Sequence, residues 1–533
     1  MAKGKPFTHN PSSPTRRSMH DLRHHRVLTC DFGQLIPVYV QEMIPGDTFR
    51  LSAEAVVRFQ PLIAPIMHRI DVFIHYFFVP YRILDDNFET FITGGEDGTD
   101  ESEPPHLENF TFNSWTKGSL LDFLYGFVPH SNNPPPYKIN AWPLLAMNRI
   151  YNDYYRDENL IDEVDIQDTT IKNRAWTKDY FTSALPFQQR GISPSLPIVT
   201  NASISWDNLS TDLLGALVYK RNSGTNGGLD VNFNLAETDV VDSWTTSLNA
   251  DGAGPFRTGL FLNNIEGQKL AEHLKVDFHA LSNWDINDMR TAWQTQKFLE
   301  AMARIGVRYT EYLQGIWGRR MLDQRLQRPE YIGGLKQPVI VSEVLQTSES
   351  GNTKQGNMAG HGISAGGTRI GNYTAEEWGI CMGILSVMPK PSYQQGLNRR
   401  WRARTRFDYP NPYFMHLSEQ QILSSEIYAQ FNVEDDLPFG YQGIWDEYRI
   451  SNDTVHGLIR DDLSFWTLTR QFGNLPLLNK SFIECDATSN GEYNPLKRIF
   501  AVPGEPGLIV TVGTYNPAIR PIPFVAEPGL VDH

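Results

Sequence analysis

Thr48-Phe-Arg-Leu-Ser-Ala-Glu-Ala-Val-Val-Arg-Phe-Gln60 is the stretch that decides the fold, because apolar and polar residues alternate along it. Every odd position from Phe49 to Phe59 is apolar, and the even positions are polar except Val56. Only an extended strand with one buried face requires a period of two. This segment therefore predicts a long strand that covers a core.

Further strand patterns lie on both sides of a mixed middle region. Ile70–Val79 is apolar on both faces apart from Asp71 and His75, which predicts a central strand. Similar patterns recur towards the C-terminal end, at Ile380–Met388, Arg400–Phe407, Phe465–Phe472 and Leu508–Thr514. Strands at both ends do not fit an alternating parallel βαβ sheet. We predict a mainly β fold, an antiparallel β-sandwich with neighbouring first and last strands and with long loop and helix insertions.

Helical patterns occupy the middle of the chain. Apolar and aromatic residues recur at helical spacing after Pro143, and 289–317 is the longest helix candidate. Ser418 and Gln421 form a capping-box pattern that predicts a short helix starting there. The glycine-rich segment Gly356–Gly371 lacks the spacing of a phosphate-binding motif and is predicted to be a loop.

Charge is distributed very unevenly along the chain. The whole chain has a net charge of −14, yet the first 26 residues hold six basic residues against one acid. Prolines and small polar residues in that segment predict an extended, poorly packed arm. We divide the chain into a basic arm (1–30), first strands with helical and loop insertions (31–199), a polar insertion (200–258), a helix with long loops (259–370) and C-terminal strands (371–533).

Two basic features are candidate DNA contacts. The first is the arm, with the candidate residues Lys3, Lys5, Arg16, Arg17, Arg23, His24, His25 and Arg26. His24 and His25 could instead bind a metal, but in a flexible basic arm phosphate contact is the more natural role. The second is a row that shares one face of a predicted strand, namely Arg400, Arg402, Arg404 and Arg406. Such a row fits phosphates or the carboxylates of a neighbouring subunit equally well.

Catalytic signatures are missing from the sequence. No phosphate-binding loop, zinc-protease motif or nucleophile elbow occurs, so we predict neither an enzyme nor a cofactor or metal site. Cys30, Cys381 and Cys485 are widely spaced and predict reduced thiols in a protein made in a cytoplasm. His68 and His75 fall in strand-like runs and are expected to be satisfied polar groups. The aromatic residues and acidic body leave a carbohydrate-active β-sandwich enzyme, or a bacterial binding module, as alternatives.

Several short segments, in this order, resemble one protein family along nearly the whole chain. They are Ile44-Pro-Gly-Asp-Thr-Phe49, Tyr76-Phe-Phe-Val-Pro-Tyr-Arg82, Tyr180-Phe-Thr-Ser-Ala-Leu-Pro186, Arg308-Tyr-Thr-Glu311, Leu326-Gln-Arg-Pro-Glu-Tyr-Ile-Gly-Gly334 and Gln395-Gly-Leu397. The chain thereby resembles the major capsid proteins of the Microviridae, especially the gokushovirus-like branch. The departures concentrate in 200–258.

The resemblance implies a viral jelly roll, of which sixty copies form a T=1 icosahedral capsid around a circular single-stranded DNA phage genome. It also implies that the basic N-terminal region faces the DNA. The polar insertion would form a protrusion at the threefold axes for host attachment, with Asn222, Gly224, Asn226 and Gly228 as its candidate residues. Other expected partners are phage structural or scaffolding proteins and a host cell-surface receptor. The expected location is the virion, assembled in the bacterial host cytoplasm.

A charge comparison adds one more expected partner. Sixty arms of net +5 supply about 300 positive charges, whereas a genome that encodes only this chain already carries about 1600 phosphates. We therefore expect polyamines or a small basic DNA-packaging protein to accompany the DNA.

Overall fold

The computed structural model describes most of the chain, and its secondary structure is mainly β. The described residues are 17–96, 99–107, 115–130, 137–194, 203–206, 218–219, 231–232, 274–277, 286–306, 308–345, 358–415, 417–488, 492–493 and 495–525. The chain divides into one unit of Met1–Gly191 with Leu299–His533 and a second unit of Ile192–Phe298. The second unit is longer than the polar insertion that we predicted.

The described strands are the framework of the fold. In chain order they are β1 (Ser18–Asp21), β2 (His24–Cys30), β3 (Ile36–Met43), β4 (Thr48–Phe59), β5 (Ile70–Pro80), β6 (Ser203–Trp206), β7 (Val218–Tyr219), β8 (Val231–Asn232), β9 (Leu274–Asp277), β10 (Glu330–Pro338), β11 (Ile340–Leu345), β12 (Met358–Thr374), β13 (Gly379–Pro389), β14 (Ser392–Tyr393), β15 (Glu419–Leu423), β16 (Pro438–Gly443), β17 (Asp453–Thr454), β18 (Leu508–Tyr515) and β19 (Pro517–Arg520).

Eleven of these strands form two antiparallel sheets, and eight of the eleven form the framework of the sandwich. The larger sheet has the order β2–β18–β4–β12, extended by β1, β19 and β11, and the smaller sheet has the order β3–β13–β5–β10. Counted from one to eight along the chain, the two orders are 1-8-3-6 and 2-7-4-5, which is the arrangement of a jelly roll. The predicted antiparallel sandwich is confirmed, and its first and last strands are neighbours because β2 pairs with β18.

The two sheets enclose the main core. The inward positions of β4 and β5 are buried, namely Phe49, Leu51, Ala53, Ala55, Val57, Phe59, Ile70, Val72, Ile74, Tyr76 and Phe78. The alternating segment 48–60 thus forms the inner face of the larger sheet and leaves its polar residues on the outer face. A second core covers the other side of β5 and β13, where Phe77 and Met382 pack with Trp142 and Leu145.

Two long connections carry the helices, at 81–329 between β5 and β10 and at 390–507 between β13 and β18. The helices are Phe88–Thr93, Leu120–Tyr125, Trp142–Ile150, Ile286–Ile305, Tyr309–Trp317, Ser424–Ile427, Asp446–Arg449 and Lys480–Ile483, with a π-helical turn at Tyr151–Tyr155. Short 3-10 helices lie at Tyr81–Ile83, Asp323–Leu326, Arg399–Arg402, Pro412–Phe414, Val433–Asp436, Gly457–Arg460, Ser464–Trp466 and Leu496–Ile499. The predicted helix at 289–317 is interrupted at Gly306, where φ is +102°.

The glycine-rich segment Gly356–Gly371 is not the predicted loop, because β12 runs through its described part. A Cβ on Gly360 would lie 2.6 Å from the carbonyl oxygen of Ala64, and one on Gly362 would lie 2.7 Å from Cγ of Phe59. Glycine is therefore needed where this strand passes close to its neighbours. The region 259–370, predicted as helix and long loops, contributes the core strand β10 and most of the core strand β12.

Two predicted strands are wrong. Arg400–Phe407 begins in a 3-10 helix and continues in turns, because Asn398 accepts a hydrogen bond from the Arg400 amide and Asp408 accepts bonds from the Arg404 and Thr405 amides. Such local side-chain bonds compete with strand pairing. The segment Phe465–Phe472 is irregular after its 3-10 helix, and with other described residues it forms a single bridge, from Phe472 to Glu492.

The short helix predicted at Ser418 is also wrong. Residues Glu419–Leu423 form β15, which pairs with β16, and the helix starts only at Ser424. The Glu426 side chain accepts a hydrogen bond from the Leu423 amide at 2.9 Å, so the capping interaction lies five residues beyond the predicted position.

Candidate functional site

The basic N-terminal segment joins the larger sheet at its edge. Since β1 pairs with β19 and β2 pairs with β18, the prediction of a poorly packed arm is wrong for Ser18–Cys30. Arg17, directly before β1, has an exposed side chain. The candidates Lys3, Lys5 and Arg16 lie outside the described residues.

Two of the candidate DNA contacts point towards the protein. Arg26 donates from Nη1 to the carbonyl oxygen of Phe123 at 3.0 Å, and burial lowers the pKa of its guanidinium. The ring of His24 stacks on buried Tyr39 with 5.4 Å between ring centroids. These side chains stabilise the edge of the sandwich, so the prediction that they contact DNA does not fit their orientation.

The alternate residues of the same segment lie on the exposed outer face of the sheet. Arg23 forms an ion pair with Asp21, with 2.5 Å between Nη2 and Oδ2, and this contact lowers the pKa of the carboxyl group. The ring of His25 meets Tyr515 edge-on at 6.0 Å. Among the candidate DNA contacts in β2 and in the turn before it, Arg23 and His25 are therefore the side chains that can reach a ligand.

The outer face also carries two arginines that the sequence pattern did not indicate. Arg50 lies in β4 and Arg369 lies in β12, where it is the register partner of Ser52. On the other side of Ser52, the register partner is Tyr515 of β18. Arg50 could have been noticed as a polar position of the 48–60 alternation. No such indication exists for Arg369, because this residue falls in Gly356–Gly371, which was predicted to be a loop.

These side chains surround a cleft of about 530 Å³. Its lining consists of Met19, His20, Asp21, Arg23, Arg50, Ser52, Arg369, Tyr515 and Pro517. The cleft thus combines guanidinium groups with an aromatic ring on one side of the sheet. Such a combination suits anionic ligands that carry a flat ring system.

The second basic candidate, the arginine row at 400–406, is not brought onto one face. Arg402 donates to Asp436, with 2.5 Å between Nη2 and Oδ1, and thereby forms a contact within the subunit. Arg400 lies over the ring of Tyr448 at 5.5 Å, and Arg406 lies over the ring of Phe407 at 4.8 Å. Arg402 is therefore paired within its own subunit, whereas Arg404 and Arg406 are exposed on turns.

A separate cleft of about 330 Å³ lies next to this arginine segment. Two buried carboxyl groups line it. Glu426 accepts a hydrogen bond from the Tyr180 hydroxyl at 3.0 Å, and Glu447 accepts one from Nε2 of Gln420 at 2.6 Å. Burial raises the pKa of Glu426. Hydrogen bonding of buried acids is the normal requirement of a stable interior, so these residues have a structural explanation.

His75 in β5 and His68, which precedes this strand, have partners, as predicted. Nδ1 of His75 lies 2.8 Å from the hydroxyl oxygen of Tyr155, and burial lowers the pKa of His75 to about 4. Nε2 of His68 lies 2.6 Å from the carbonyl oxygen of Lys390. Both histidines are therefore satisfied polar groups of the sandwich.

The part of the chain that the structure describes holds no group of three or more His, Cys, Asp or Glu side chains arranged to bind a metal ion. Cys30, Cys381 and Cys485 are buried free thiols. Among the helices of the same residues, none is long and apolar enough to cross a membrane. The predicted attachment residues Asn222, Gly224, Asn226 and Gly228 lie outside the described residues.

Comparison with known proteins decides the family. Residues 8–530 match the family described as capsid protein (F protein). The chain is also 32% identical to capsid protein VP1 of Chlamydia phage 1, in an alignment that covers 96% of each protein. This chain belongs to the capsid protein (F protein) family. Capsid protein VP1 of Bdellovibrio phage phiMH2K is 32% identical over 94% of the chain and 93% of its own length.

A third capsid protein, VP1 of Spiroplasma virus 4, is 26% identical over 88% of both proteins. The resemblance to microvirus capsid proteins is therefore confirmed, and the role of the family is structural. Membership in this family argues against the carbohydrate-active enzyme that the composition left open.

Proposed function

We propose that sixty copies of this capsid protein assemble into a T=1 icosahedral shell around a circular single-stranded DNA phage genome. The observation that supports this most directly is the jelly roll with strand orders 1-8-3-6 and 2-7-4-5 in a chain of the capsid family. Closed symmetric shells require each copy to present surfaces that other copies cover.

Exposed apolar residues of the second long connection supply such a surface. Trp401, Tyr413 and Phe431 are 77%, 89% and 90% exposed, and they lie within one stretch of the chain. Large exposed aromatic residues are unfavourable in water and are typical of interfaces between proteins. In our proposal neighbouring subunits bury these residues when the shell forms.

The exposed basic residues of the N-terminal segment support DNA enclosure. Arg17 and Arg23 lie on the surface at the edge of the larger sheet, and the sequence before them adds Lys3, Lys5 and Arg16. Because these charges are few compared with the phosphates of a genome, polyamines or a small basic DNA-packaging protein would neutralise the remainder. Other phage structural or scaffolding proteins would take part in assembly, which would occur in the cytoplasm of the bacterial host.

Host attachment is the proposed role of the polar insertion at 200–258. Its support is the polar composition and the separate unit Ile192–Phe298. Replacing 200–258 by a short linker should leave particles intact and abolish their adsorption to host cells. Particles that adsorb normally after this replacement would contradict the proposed contact with a cell-surface receptor.

The central test is sedimentation of a lysate from producing cells, followed by nuclease treatment of the fast fraction. We expect this chain to comigrate with protected single-stranded DNA in particles of uniform size. Quantitative mass spectrometry of the particles should also detect polyamines or a small basic protein. If the chain remains in the slow fraction while other phage proteins form the particles, the proposal is wrong.

A further inference from the structure

The cleft on the outer face of the larger sheet has a defined geometry. Ser52 of β4 is paired on one side with Arg369 and on the other side with Tyr515. In antiparallel pairs, register partners project to the same face of the sheet. The small Ser52 side chain therefore forms the floor between a guanidinium group and a phenol ring, and Arg50 follows on the same face of β4.

The charge of this cleft is positive. Among the ion pairs of the described residues, none involves Arg50 or Arg369, whereas Arg23 is paired with Asp21. Nη2 of Arg369 donates to Oδ1 of Asn372 at 3.0 Å, which holds the guanidinium group in place. Asp21 also lines the cleft and is paired with Arg23, so an anionic ligand would meet two further arginines that form no ion pair with the described carboxyl groups.

The aromatic ring gives the site a second property. The hydroxyl of Tyr515 donates to Oε2 of Glu54 at 3.3 Å, and the His25 ring contacts the Tyr515 ring edge-on. These contacts hold the ring at the wall of the cleft. Guanidinium groups bind phosphates with two parallel hydrogen bonds, and aromatic rings stack on nucleobases irrespective of sequence.

We propose that this cleft binds a nucleotide unit of single-stranded DNA, with the phosphate at Arg50 and Arg369 and a base against Tyr515. This inference rests on the proposed function and adds the site to it. It also has a consequence for the shell, because the outer face of the larger sheet then faces the packaged genome. The strand β1 and the turn after it lie beside the same cleft, since Met19 and Arg23 line it.

The arginine part of the proposal is tested with the full-length, unassembled chain and a fluorescent oligothymidylate. Binding is measured by anisotropy over a series of salt concentrations. Each phosphate contact adds about 0.7 to the magnitude of the slope of log affinity against log salt for a single strand. Replacing both Arg50→Ala and Arg369→Ala should therefore reduce the slope by about 1.4. The matched control is Arg58→Ala, which removes an exposed arginine from the same face of β4 and should leave the slope unchanged.

The aromatic part is tested at Tyr515. Tyr515→Leu should weaken binding of the oligonucleotide by about tenfold, because one stacked base is lost. Tyr515→Phe retains the ring and should bind as the natural chain does. An oligonucleotide of equal length that lacks bases should bind to Tyr515→Leu and Tyr515→Phe with equal affinity.

The outcomes separate this inference from the function on which it rests. Equal binding by the Leu and Phe variants, or equal slopes for the double variant and Arg58→Ala, would overturn the nucleotide site. A double variant that binds DNA normally but no longer assembles would overturn it too, since the arginines then contact a second copy. If the natural chain binds no single-stranded DNA and its particles contain none, the proposed function itself fails.

Discussion

Nε of Arg470 and Oε1 of Glu492 lie 2.8 Å apart, and neither side chain is exposed to solvent. Arg470 also lies over the Phe482 ring at 4.3 Å and donates from Nη2 to the Phe482 carbonyl oxygen at 3.0 Å. An unpaired charge in the interior is strongly unfavourable, so each partner requires the other. This pair therefore joins distant parts of the 390–507 connection in one arrangement.

The first prediction concerns the loss of one partner. Arg470→Met leaves the Glu492 carboxyl group buried without its counter-charge and should lower the free energy of unfolding by about 3–5 kcal/mol. The matched control is Lys390→Met, which breaks an exposed pair with Asp453 and should change the free energy of unfolding by at most about 1 kcal/mol. Urea denaturation of the unassembled chain measures the free energy of unfolding of both variants. Equal effects of the two substitutions would show that the buried pair has no special role.

The second prediction concerns pH. Burial raises the pKa of Glu492 from 4.5 to about 6, even though the Arg470 charge opposes this shift. Between these values the folded chain holds a proton that the unfolded chain has released, so the contribution of this group to stability falls as pH rises. Relative to Glu492→Gln, the natural chain should lose about 2 kcal/mol of unfolding free energy between pH 4.5 and 7. A difference that does not change with pH would contradict the prediction.

The third prediction concerns the glycines of β12. Gly362→Ala places a Cβ within 2.7 Å of the Phe59 ring in the core and should destabilise the chain by about 1–3 kcal/mol. Gly371→Ala, in the same strand, has its nearest contacts at 3.6 Å and should change stability little. Thermal unfolding of the two variants measures the difference. If both are equally stable, the glycines are not required by close packing.

The strands of the sandwich were predictable wherever burial alone determined the pattern. The inner positions of β4 alternate strictly, and both sides of β5 are buried, so the sequence showed these strands directly. The strand β12 was not predictable, because its glycines are explained by contacts with Phe59 and Ala64 that only the folded chain reveals. The segment Phe465–Phe472 is largely buried without pairing as a strand, and periodicity cannot distinguish this case from a buried strand.

The candidate site was predictable only in part, because charge in the sequence does not show which face a side chain occupies. Arg23 and Arg26 are both basic and close in sequence. In the structure one is exposed and the other donates to a backbone carbonyl in the protein. The cleft brings Arg23 together with Arg369, and this depends on the order of strands in the sheet.

The fourth prediction concerns Phe431, which is 90% exposed and has φ of +58°. Asp435 accepts hydrogen bonds from the amides of Gln430 and Phe431 and holds this conformation. Asparagine tolerates positive φ better than phenylalanine. Phe431→Asn should therefore leave the unassembled chain at least as stable, yet reduce the yield of particles, because a buried aromatic contact between subunits is lost. Calorimetry and sedimentation measure the two effects, and a normal yield of particles would remove Phe431 from the interface.

The fifth prediction distinguishes the DNA contacts of residues 1–16 from those of the larger sheet. Deleting 1–26 would remove β1 and part of β2, so a loss of DNA binding could reflect damage to the fold. Deleting only 1–16 retains both strands and removes three basic residues, Lys3, Lys5 and Arg16. The slope of log affinity for single-stranded DNA against log salt should then be reduced in magnitude by about 2, since each lost phosphate contact accounts for about 0.7.

The reduction should add to that caused by Arg50→Ala with Arg369→Ala, because the two sets of charges contact different phosphates. An unchanged slope after the deletion would leave the exposed face of the larger sheet as the principal DNA contact, whereas a slope that falls to zero would show that the cleft contributes nothing.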